Sequence, residues 1–317
     1  GGRAARTPIP ILTGATGYLG AHLLKELIEN NYEKIYCIVR PKDGESAAER
    51  LGKITKYYFG KSLLDNVEII SGDIANPQIY SQLDSIITKD TTIINCAAIV
   101  KHFAEKRLLQ AVNVDAVKYL IECCKRHDCN FVQISTLSAA VLPGEVVDEQ
   151  TVCPLPPDAV PYAASKWQAE QVAFAAAANE LKLKLIRLGN LAPRSTDGMF
   201  QINADENAIM NFLNTVRELG CYPQSLEKQR IDFTPVDCAA RDVARLISVS
   251  TSAVFHVFDP RKVAINEIVA ASAIPDEDFR QLIQKLPLQQ RIPLSYFSAA
   301  NHCDWNNDFT VKVLASL

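Results

Sequence analysis

The sequence has no hydrophobic segment long enough to cross a membrane and no block of basic residues. Its longest apolar run, from Val172 to Ala178, falls far short of the ~20 residues that a membrane-spanning helix needs. Lysine and arginine total 33 residues against 36 aspartates and glutamates, which gives a net charge of −3. We therefore expect neither a nucleic acid nor a membrane to be a partner of this chain.

A secretory signal and a disulfide framework are also missing. The N-terminal stretch GGRAARTPIP has no apolar signal core and no initiator Met, which indicates either a cloning remnant or a piece of a longer polypeptide. Nine cysteines without paired spacing are typical of free thiols in a reducing cytoplasm. The densest group, Cys123, Cys124, His127 and Cys129, ends an amphipathic helical pattern, so we predict buried helix cysteines in preference to a zinc site.

A glycine-rich turn, TGATGYLG, occupies Thr13 to Gly20. It follows the apolar run Ile9 to Leu12 and precedes apolar residues at helical spacing, which predicts a strand, a turn and a helix. Gly14 allows a sharp exit from the strand, Gly17 lets a pyrophosphate approach the backbone, and Gly20 lets helix and strand pack closely. The GxxGxxG spacing is longer than the commonest fingerprint, but its position favours a dinucleotide site over an ordinary tight turn.

The second predicted strand, Lys34 to Val39, ends at Arg40, where an NAD-binding sequence more often carries an acidic residue for the ribose. Lys42 and Arg50 are close in sequence. Because a guanidinium pairs with a phosphate through two hydrogen bonds, this group favours the 2′-phosphate of NADP. The alternative is that Arg40 is a solvated surface residue.

Two further strand ends carry candidate cofactor contacts. Val67 to Ile70 leads into Asp73 and Ile74. Either the carboxylate accepts from an adenine amino group while Ile74 packs on the ring, or Asp73 caps the next turn. The strand Thr91 to Asn95 leads into Ala97 and Ala98, small residues that leave room for a cofactor at the carboxyl edge of a sheet.

Strands and helical stretches alternate up to Leu188, with further strands predicted at Phe131 to Ser135, Leu183 to Leu188 and Val254 to Phe258. This pattern predicts an α/β fold, a Rossmann-type doubly wound parallel sheet with a smaller, mainly helical C-terminal substrate lobe. We assign residues 1–190 and 231–260 to the NADP-binding domain. Residues 191–230 and 261–317 form the predicted lobe, which caps the carboxyl edge of the sheet and shapes the substrate cleft.

A YxxxK element places Tyr162 and Lys166 on one face of a predicted helix. A neighbouring cation favours the phenolate and so lowers the pKa of a tyrosine, and the lysine can also hold the nicotinamide ribose. Thr136, at the end of the predicted fifth strand, is our candidate for binding the reacting oxygen beside Tyr162. YxxxK alone also describes a surface tyrosine and a solvated lysine, but together with the glycine turn it predicts a catalytic triad.

These motifs occur in the order found in extended short-chain dehydrogenase/reductases, which the sequence resembles. The resemblance rests on TGATGYLG, Arg40, GDI, Ala97-Ala98, Asn113-Val114, ISTLS and YAASK. The longer stretches LTGATGYLGAHLL, IYCIVR, NCAAIVKHF, RLGNLAP and IDFTPVD resemble terminal thioester reductase domains of nonribosomal peptide synthetases and hybrid polyketide synthases. Carboxylic acid reductases and aminoadipate reductase share this pattern, which extends to about residue 260.

The resemblance implies a role for individual residues in cofactor binding and catalysis. The pyrophosphate would be held by Gly14, Thr16, Gly17, Tyr18 and Leu19, and the 2′-phosphate by Arg40 and Arg50. Asp73 and Ile74 would flank adenine, and Ala97, Ala98 and Asn190 would complete the NADPH site. The triad would be Thr136, Tyr162 and Lys166, of which Tyr162 and Lys166 would also contact the cofactor.

The activity implied by the resemblance is reductive release of a thioester. NADPH would deliver hydride to an acyl or peptidyl thioester on the phosphopantetheine arm of an upstream carrier protein in the same polypeptide. Hydrogen bonds from Tyr162 and Thr136 would stabilise the developing negative charge. The resulting thiohemiacetal would collapse to an aldehyde and a free thiol, and a second hydride would give the alcohol.

Three other functions are compatible with parts of the pattern. A nucleotide-sugar epimerase or dehydratase shares the fold and triad but usually keeps NAD bound. A cyclising release domain without redox chemistry typically has a degraded triad, and a regulator that only senses NADP needs no YxxxK. Two lesser candidates are His102, either a cleft residue or a loop histidine, and Trp305, either core of the lobe or a substrate contact.

Overall fold

The computed structural model describes residues 8–100, 104–155, 159–298 and 303–317. Its centre is a sheet of seven parallel strands: β1 (Ile9–Thr13), β2 (Ile35–Val39), β3 (Val67–Ser71), β4 (Thr91–Asn95), β5 (Asn130–Thr136), β6 (Lys182–Leu188) and β7 (Ala253–Val257). The order across the sheet is β7-β6-β5-β4-β1-β2-β3. The predicted Rossmann-type sheet is therefore confirmed, and the strand order reverses between β1 and β4, where such sheets open a ligand crevice.

Helices connect the strands and continue after them. Within the described residues they are α1 (Tyr18–Glu29), α2 (Ala47–Phe59), α3 (Ile79–Leu83), α4 (Lys106–Leu109), α5 (Ala116–His127), α6 (Pro161–Ala177), α7 (Ala208–Leu219), α8 (Val236–Ser248), α9 (Ile265–Ile268), α10 (Asp276–Ile283), α11 (Leu288–Ser298) and α12 (Asp308–Ala315). A wider, π-helical segment, Gln110–Asp115, joins α4 to α5.

Both faces of the sheet are buried by helices. Successive residues of a strand point to opposite faces, so Leu12 and Ile94 enter one core while Ile11 and Ile93 enter the other. The first core contains α1, α2 and α8, and the second contains α3, α5 and α6. This double burial explains why the strands read as nearly continuous apolar runs.

A separate hydrophobic core lies beyond β6. It is formed by α7, α9, α10 and α11, with Phe212, Phe279 and Leu294 fully buried at its centre. Short strands brace it: Cys221–Pro223 pairs with Ser272–Ile274, and Arg230–Asp232 pairs with Lys262–Ala264. These elements form the C-terminal lobe, whereas the exact division of the chain into two domains stays a prediction.

The last helix, α12, packs on the sheet rather than in the lobe core. Phe309 stacks on Phe255 of β7, with ring centroids 5.7 Å apart and ring planes 15° apart. Val313 and Leu314 pack against the same core as α8. The predicted lobe of residues 261–317 therefore includes one helix that packs Phe309, Val313 and Leu314, all partly buried, against the sheet layer.

The cysteine-rich segment forms part of α5 and the turn after it. Cys123, Cys124 and Cys129 are buried, as expected for helix cysteines, and His127 lies 2.9 Å from the Asp84 carboxylate. The described part of the chain contains no group of three or more histidine, cysteine, aspartate or glutamate side chains arranged to hold a metal. None of its helices combines the length and apolar character needed to cross a membrane. His102 lies outside the described residues.

We predict that Phe309→Ala lowers the free energy of unfolding by about 2 kcal/mol or more, because it removes a ring packed between α12 and β7. Val311→Ala on the same helix is the matched control, since Val311 is 51% exposed and should change stability by less than about 0.5 kcal/mol. Denaturant unfolding measures both variants, and equal effects would contradict the packing of α12 on the sheet.

Candidate active site

The glycine turn brings β1 and β4 into close backbone contact. Gly14 has a φ of +74°, and a Cβ atom added there would lie 2.6 Å from the backbone nitrogen of Ala97. A Cβ atom at Gly20 would lie 2.0 Å from the Gly14 carbonyl oxygen. Both positions therefore require glycine, and the turn holds the first residues of α1 close to the carboxyl edge of the sheet.

The start of α1 has the properties of a phosphate-binding helix end. Gly17 is the N-cap residue, and among the described residues no side chain caps α1 and no acidic residue lies in its first turn. Thr16 is half-buried and Gly17 is exposed. The first N–H groups of α1 are thus left for an anion, and the positive end of the helix dipole favours one. This arrangement fits the pyrophosphate of a dinucleotide.

Two of the predicted pyrophosphate residues use their side chains elsewhere. The Tyr18 hydroxyl donates to the carbonyl oxygens of Ala192 at 2.9 Å and Met199 at 3.3 Å. Leu19 is buried in the core beside the sheet. Tyr18 and Leu19 therefore offer backbone N–H groups to a phosphate, while the Tyr18 side chain ties the glycine turn to the chain after β6.

Arg40 directly follows β2, and Arg50 of α2 contacts it. Arg50 donates from Nη1 to the backbone carbonyl of Arg40. The Arg40 side chain is 45% exposed and its Nη1 lies 3.1 Å from Asp73 Oδ2. Asp73 also accepts from the backbone N–H of Ala75 at 2.9 Å. The turn-capping alternative for Asp73 is therefore observed, alongside an ion pair that holds Arg40 at the sheet edge.

The remaining predicted cofactor residues on this side differ in exposure. Ile74 is buried in the core with Ile79, so little of its side chain is left to cover a ring. Ala97 and Ala98 are half-buried directly after β4, and the Ala97 N–H donates to Thr13 Oγ1 at 3.2 Å. The two alanines thus place only methyl groups beside the glycine turn, and their contact with a cofactor stays a prediction.

The YxxxK element begins α6 and is held against β5. Pro161 occupies the first helical turn, which fixes the start of the helix directly before Tyr162. Lys166 is 5% exposed and donates from Nζ to the carbonyl oxygen of Ile134 at 2.6 Å. Burial lowers the pKa of Lys166 to about 8. The contact lies two residues before Thr136, so α6 and the end of β5 meet at one corner of the sheet.

A cleft of about 770 Å³ lies between this corner and the lobe. Thr136 and Asn190 line it, and Tyr162 lies between the lining residues Val160 and Ala163. Trp305 also lines the cleft, and its indole N–H donates to the carbonyl oxygen of Ala140 at 2.7 Å. Trp305 therefore belongs to the cleft wall, where it is available for substrate contact.

Asn190 owes its position to a residue for which the sequence suggested no role. Asp232 accepts from the Asn190 backbone N–H at 2.8 Å and from its side-chain amide at 3.0 Å. Asp232 is buried, and burial raises the pKa of its carboxyl. The close approach is possible because Gly189 has no side chain: a Cβ atom there would lie 2.1 Å from Asp232 Oδ2.

Asn113 is a second residue for which the sequence suggested no role. It lies in the π-helical segment, accepts from the Ile99 N–H at 2.8 Å and donates to the Ile99 carbonyl at 3.0 Å. It also donates to Ser165 Oγ at 2.9 Å, and Ser165 donates to the Tyr162 carbonyl at 2.7 Å. Asn113 thus connects the chain after β4 to the first turn of α6.

Comparison with known families agrees with this geometry. Residues 12–243 match the NAD-binding family described as male sterility protein. The chain belongs to this family. A nicotinamide dinucleotide is therefore the class of its cofactor, as the glycine turn predicted.

Relatives of the chain are reductases. Glycine betaine reductase of Emericella nidulans is 27% identical over 79% of this chain, and the large subunit of L-2-aminoadipate reductase of Penicillium chrysogenum is 25% identical over 74%. The alignments cover 21% and 18% of those proteins, so the chain spans about a fifth of their length.

A solved structure is also similar over nearly the whole chain. The thiolation-reductase di-domain of an archaeal nonribosomal peptide synthetase is 29% identical, with a TM-score of 0.84 over 98% of this chain and 71% of that one. The resemblance to synthetase reductase domains is therefore confirmed, and with it the assignment to the oxidoreductases.

We predict that Gly14→Ala is more damaging than Gly60→Ala. Both glycines have positive φ, at +74° and +71°, so each substitution has a backbone cost of about 1–2 kcal/mol. Only Gly14 has backbone atoms in the way, which should add about 1–3 kcal/mol. Thermal unfolding measures the difference, and equal losses would show that β1 and β4 are not in this contact.

Proposed function

We propose that this chain reduces an acyl or peptidyl thioester, held on the phosphopantetheine arm of a carrier protein, to an aldehyde with NADPH. The observation that carries the proposal is the cleft itself. It runs between the lobe and the end of β5, where Thr136 lines it and Lys166 of α6 donates to the Ile134 carbonyl two residues earlier. A cleft with a volume of about 770 Å³ suits a flexible substrate that enters from outside.

The archaeal relative supports the carrier protein as partner. Its structure contains a thiolation domain and a reductase domain together, and this chain covers 71% of it. A thiolation domain in front of the present chain, in the same polypeptide, would present its substrate to the cleft. This is part of the proposal, as is release of the product as an aldehyde.

Arg40 and Arg50 support NADPH rather than NADH. They support it because a half-exposed guanidinium follows β2, the strand next to β1, which is the position from which dinucleotide-binding sheets contact the ribose. A 2′-phosphate, which is doubly charged, would replace the Asp73 carboxylate as the partner of Arg40. When bound, NADPH supplies the hydride.

The chain's own residues would then act on the carbonyl oxygen of the thioester. Tyr162 and Thr136 donate hydrogen bonds to that oxygen as negative charge develops on it, and Tyr162 supplies the proton. The resulting thiohemiacetal then loses its C–S bond, the hydroxyl proton passes to the sulfur, and the aldehyde and the free phosphopantetheine thiol are released. Lys166, in its charged form, stabilises the phenolate that remains. Trp305 and the lobe exclude water from the acyl chain. Lys166 loses its charge as the pH rises through about 8, so the reaction should weaken above that pH.

The test of this function is NADPH oxidation with a simple acyl-pantetheine thioester, followed together with release of free thiol. Thiol release matched by NADPH loss would establish thioester reduction, and the ratio of aldehyde to alcohol would show how far the reduction proceeds. Thiol release without oxidation, or silence in both measurements despite tight NADPH binding, would contradict the proposal.

Tyr162→Phe is expected to lower kcat/KM at least about 100-fold, because the proton donor is lost, while NADPH binding changes little. The control is Tyr57→Phe, which removes a hydroxyl from a tyrosine that is 41% exposed on α2. Steady-state kinetics and NADPH titration measure both effects. Activity near that of the unmodified chain in Tyr162→Phe would remove this residue from the proposed mechanism.

Arg40→Ala is expected to raise the KM for NADPH at least about 10-fold and to change the KM for NADH little, because only NADPH carries the 2′-phosphate. Lys53→Ala is the matched control, since Lys53 is an exposed cation on the neighbouring α2 that pairs with Glu45 at 2.8 Å. An equal rise for both cofactors would show that Arg40 does not recognise the 2′-phosphate.

A further inference from the structure

A buried ion pair lies one residue beneath the floor of the cleft. Ser135, Arg187 and His256 are direct neighbours across β5, β6 and β7. Each of the first two directly precedes a cleft-lining residue, Thr136 and Leu188. Glu170 approaches this row from α6.

Glu170 is held by both strands that it faces. Ser135 Oγ donates to Glu170 Oε1 at 2.5 Å, and Arg187 donates from Nη2 to Oε2 at 2.8 Å and from Nε to Oε1 at 3.1 Å. Glu170 is 1% exposed and Arg187 is 2% exposed. The contact is therefore a bidentate ion pair whose two side chains are almost completely shielded from solvent.

The side of the Arg187 guanidinium that faces away from Glu170 also has a hydrogen-bond partner. Arg187 Nη1 donates to His256 Nε2 at 3.3 Å, since the Nδ1–H of His256 donates to the Asn306 carbonyl at 2.8 Å. Burial lowers the pKa of His256 to about 4, so the ring is neutral and this tautomer is kept. These contacts thus fix the orientation of the Arg187 guanidinium and of the Glu170 carboxylate that it binds.

Stability alone does not account for such a pair. Replacing a buried ion pair by apolar side chains of similar volume is often neutral or stabilising, because desolvation of the charges offsets their attraction. The position of Glu170 suggests another role. Tyr162, Lys166 and Glu170 follow one another at intervals of four residues on α6 and so share one helix face.

Two consecutive residues of β5 contact this face, and the next residue lines the cleft. The Ile134 carbonyl accepts from Lys166, the Ser135 hydroxyl donates to Glu170, and Thr136 lines the cleft. The bond from Ser135 to Glu170 thus sets the rotation of α6 about its axis. A rotation that broke it would also displace Lys166 and Tyr162.

We propose that Glu170 is a positioning residue for Lys166: clamped by Ser135 and Arg187, it aligns the Tyr162–Lys166 face of α6 with β5 and supplies a buried negative charge one helical turn from Lys166. The inference rests on the proposed function, in which a charged Lys166 supports Tyr162.

The groups that face Lys166 support this assignment. Burial lowers the pKa of Lys166, and the groups that oppose this effect are Glu170, on its own helix, and then Cys96, at the end of β4. Burial raises the pKa of the Cys96 thiol to about 12, so Cys96 is uncharged at neutral pH. Ser165 and Asn113, which pack beside the same turn, are neutral. Glu170 is therefore the anion that retains the proton on Lys166.

Two single substitutions should move the titration of Lys166 in opposite directions. Glu170→Gln removes the anion and leaves Arg187 uncompensated, so the midpoint should fall by about one pH unit. Arg187→Gln removes the cation that partly neutralises Glu170, so the midpoint should rise. A merely structural role would disturb the fold in both variants without opposite shifts.

The midpoint can be read by NMR of the lysine side chains in the protein without substrate or cofactor, with Lys166→Arg used to assign the signal. Glu122→Gln is the matched control, because Glu122 is an exposed glutamate on α5 that pairs with Lys125, and it should leave the midpoint unchanged. If a single variant does not fold, the double variant Glu170→Gln/Arg187→Gln removes both buried charges and should lower the midpoint.

An unchanged midpoint in Glu170→Gln or in the double variant, or shifts of the same sign in the two single variants, would overturn the inference. The titration needs no catalysis, so its result is independent of whether the chain reduces thioesters. Failure of thioester reduction with the expected opposite shifts would count against the proposed function alone. In an active enzyme, the alkaline limb of the kcat/KM profile should follow the same order of variants.

Discussion

The structure depends on a line of polar side chains that crosses the sheet just below its carboxyl edge. Thr13 Oγ1 donates to Asn95 at 2.6 Å, Asn95 donates to Gln133 at 3.0 Å, and Gln133 donates to the Ile134 carbonyl at 2.8 Å. Lys166 donates to that same carbonyl. Buried polar groups must find partners, so this line fixes which strand residues face each other. The glycine turn and the YxxxK helix are thereby held at defined places on one edge.

The predicted dinucleotide residues and the residues that line the cleft lie on different sides of this edge. The glycine turn, Arg40 and the alanines after β4 lie on the side where the strand order reverses. The lobe closes the other side, where Asn190 and Trp305 face the cleft. Residues 12–243, which the family shares, include all of the first side and only part of the second. The part of the cleft wall that follows residue 243, Trp305 included, therefore lies outside the segment that the family model matches.

Much of the fold was predictable, because each strand of the sheet is a short apolar run. The glycine turn between a strand and a helix also indicates a dinucleotide-binding sheet more than any other arrangement. The contact between Arg40 and Arg50 is also local, because Arg40 follows β2 and Arg50 lies on α2, the next element along the chain. The contacts that join distant segments were not. The Tyr18 hydroxyl donates a hydrogen bond to the carbonyl of Ala192, which is 174 residues away in the sequence. Asp232 accepts a hydrogen bond from Asn190, which is 42 residues away. Periodicity reports which face of an element is buried, but not which distant carbonyl or carboxylate lies opposite.

The packing of α12 on the sheet has a consequence for how the cleft can open. Within the described residues, the chain leaves the sheet layer after β6, returns to it at α8, leaves again after β7 and returns at α12. The lobe is thus joined to the sheet by four separate crossings rather than by one linker. A single linker would let a lobe swivel freely, whereas several crossings restrict it to small movements. The cleft should therefore widen and narrow by small changes in the angle between the lobe and the sheet, not by free rotation of the lobe.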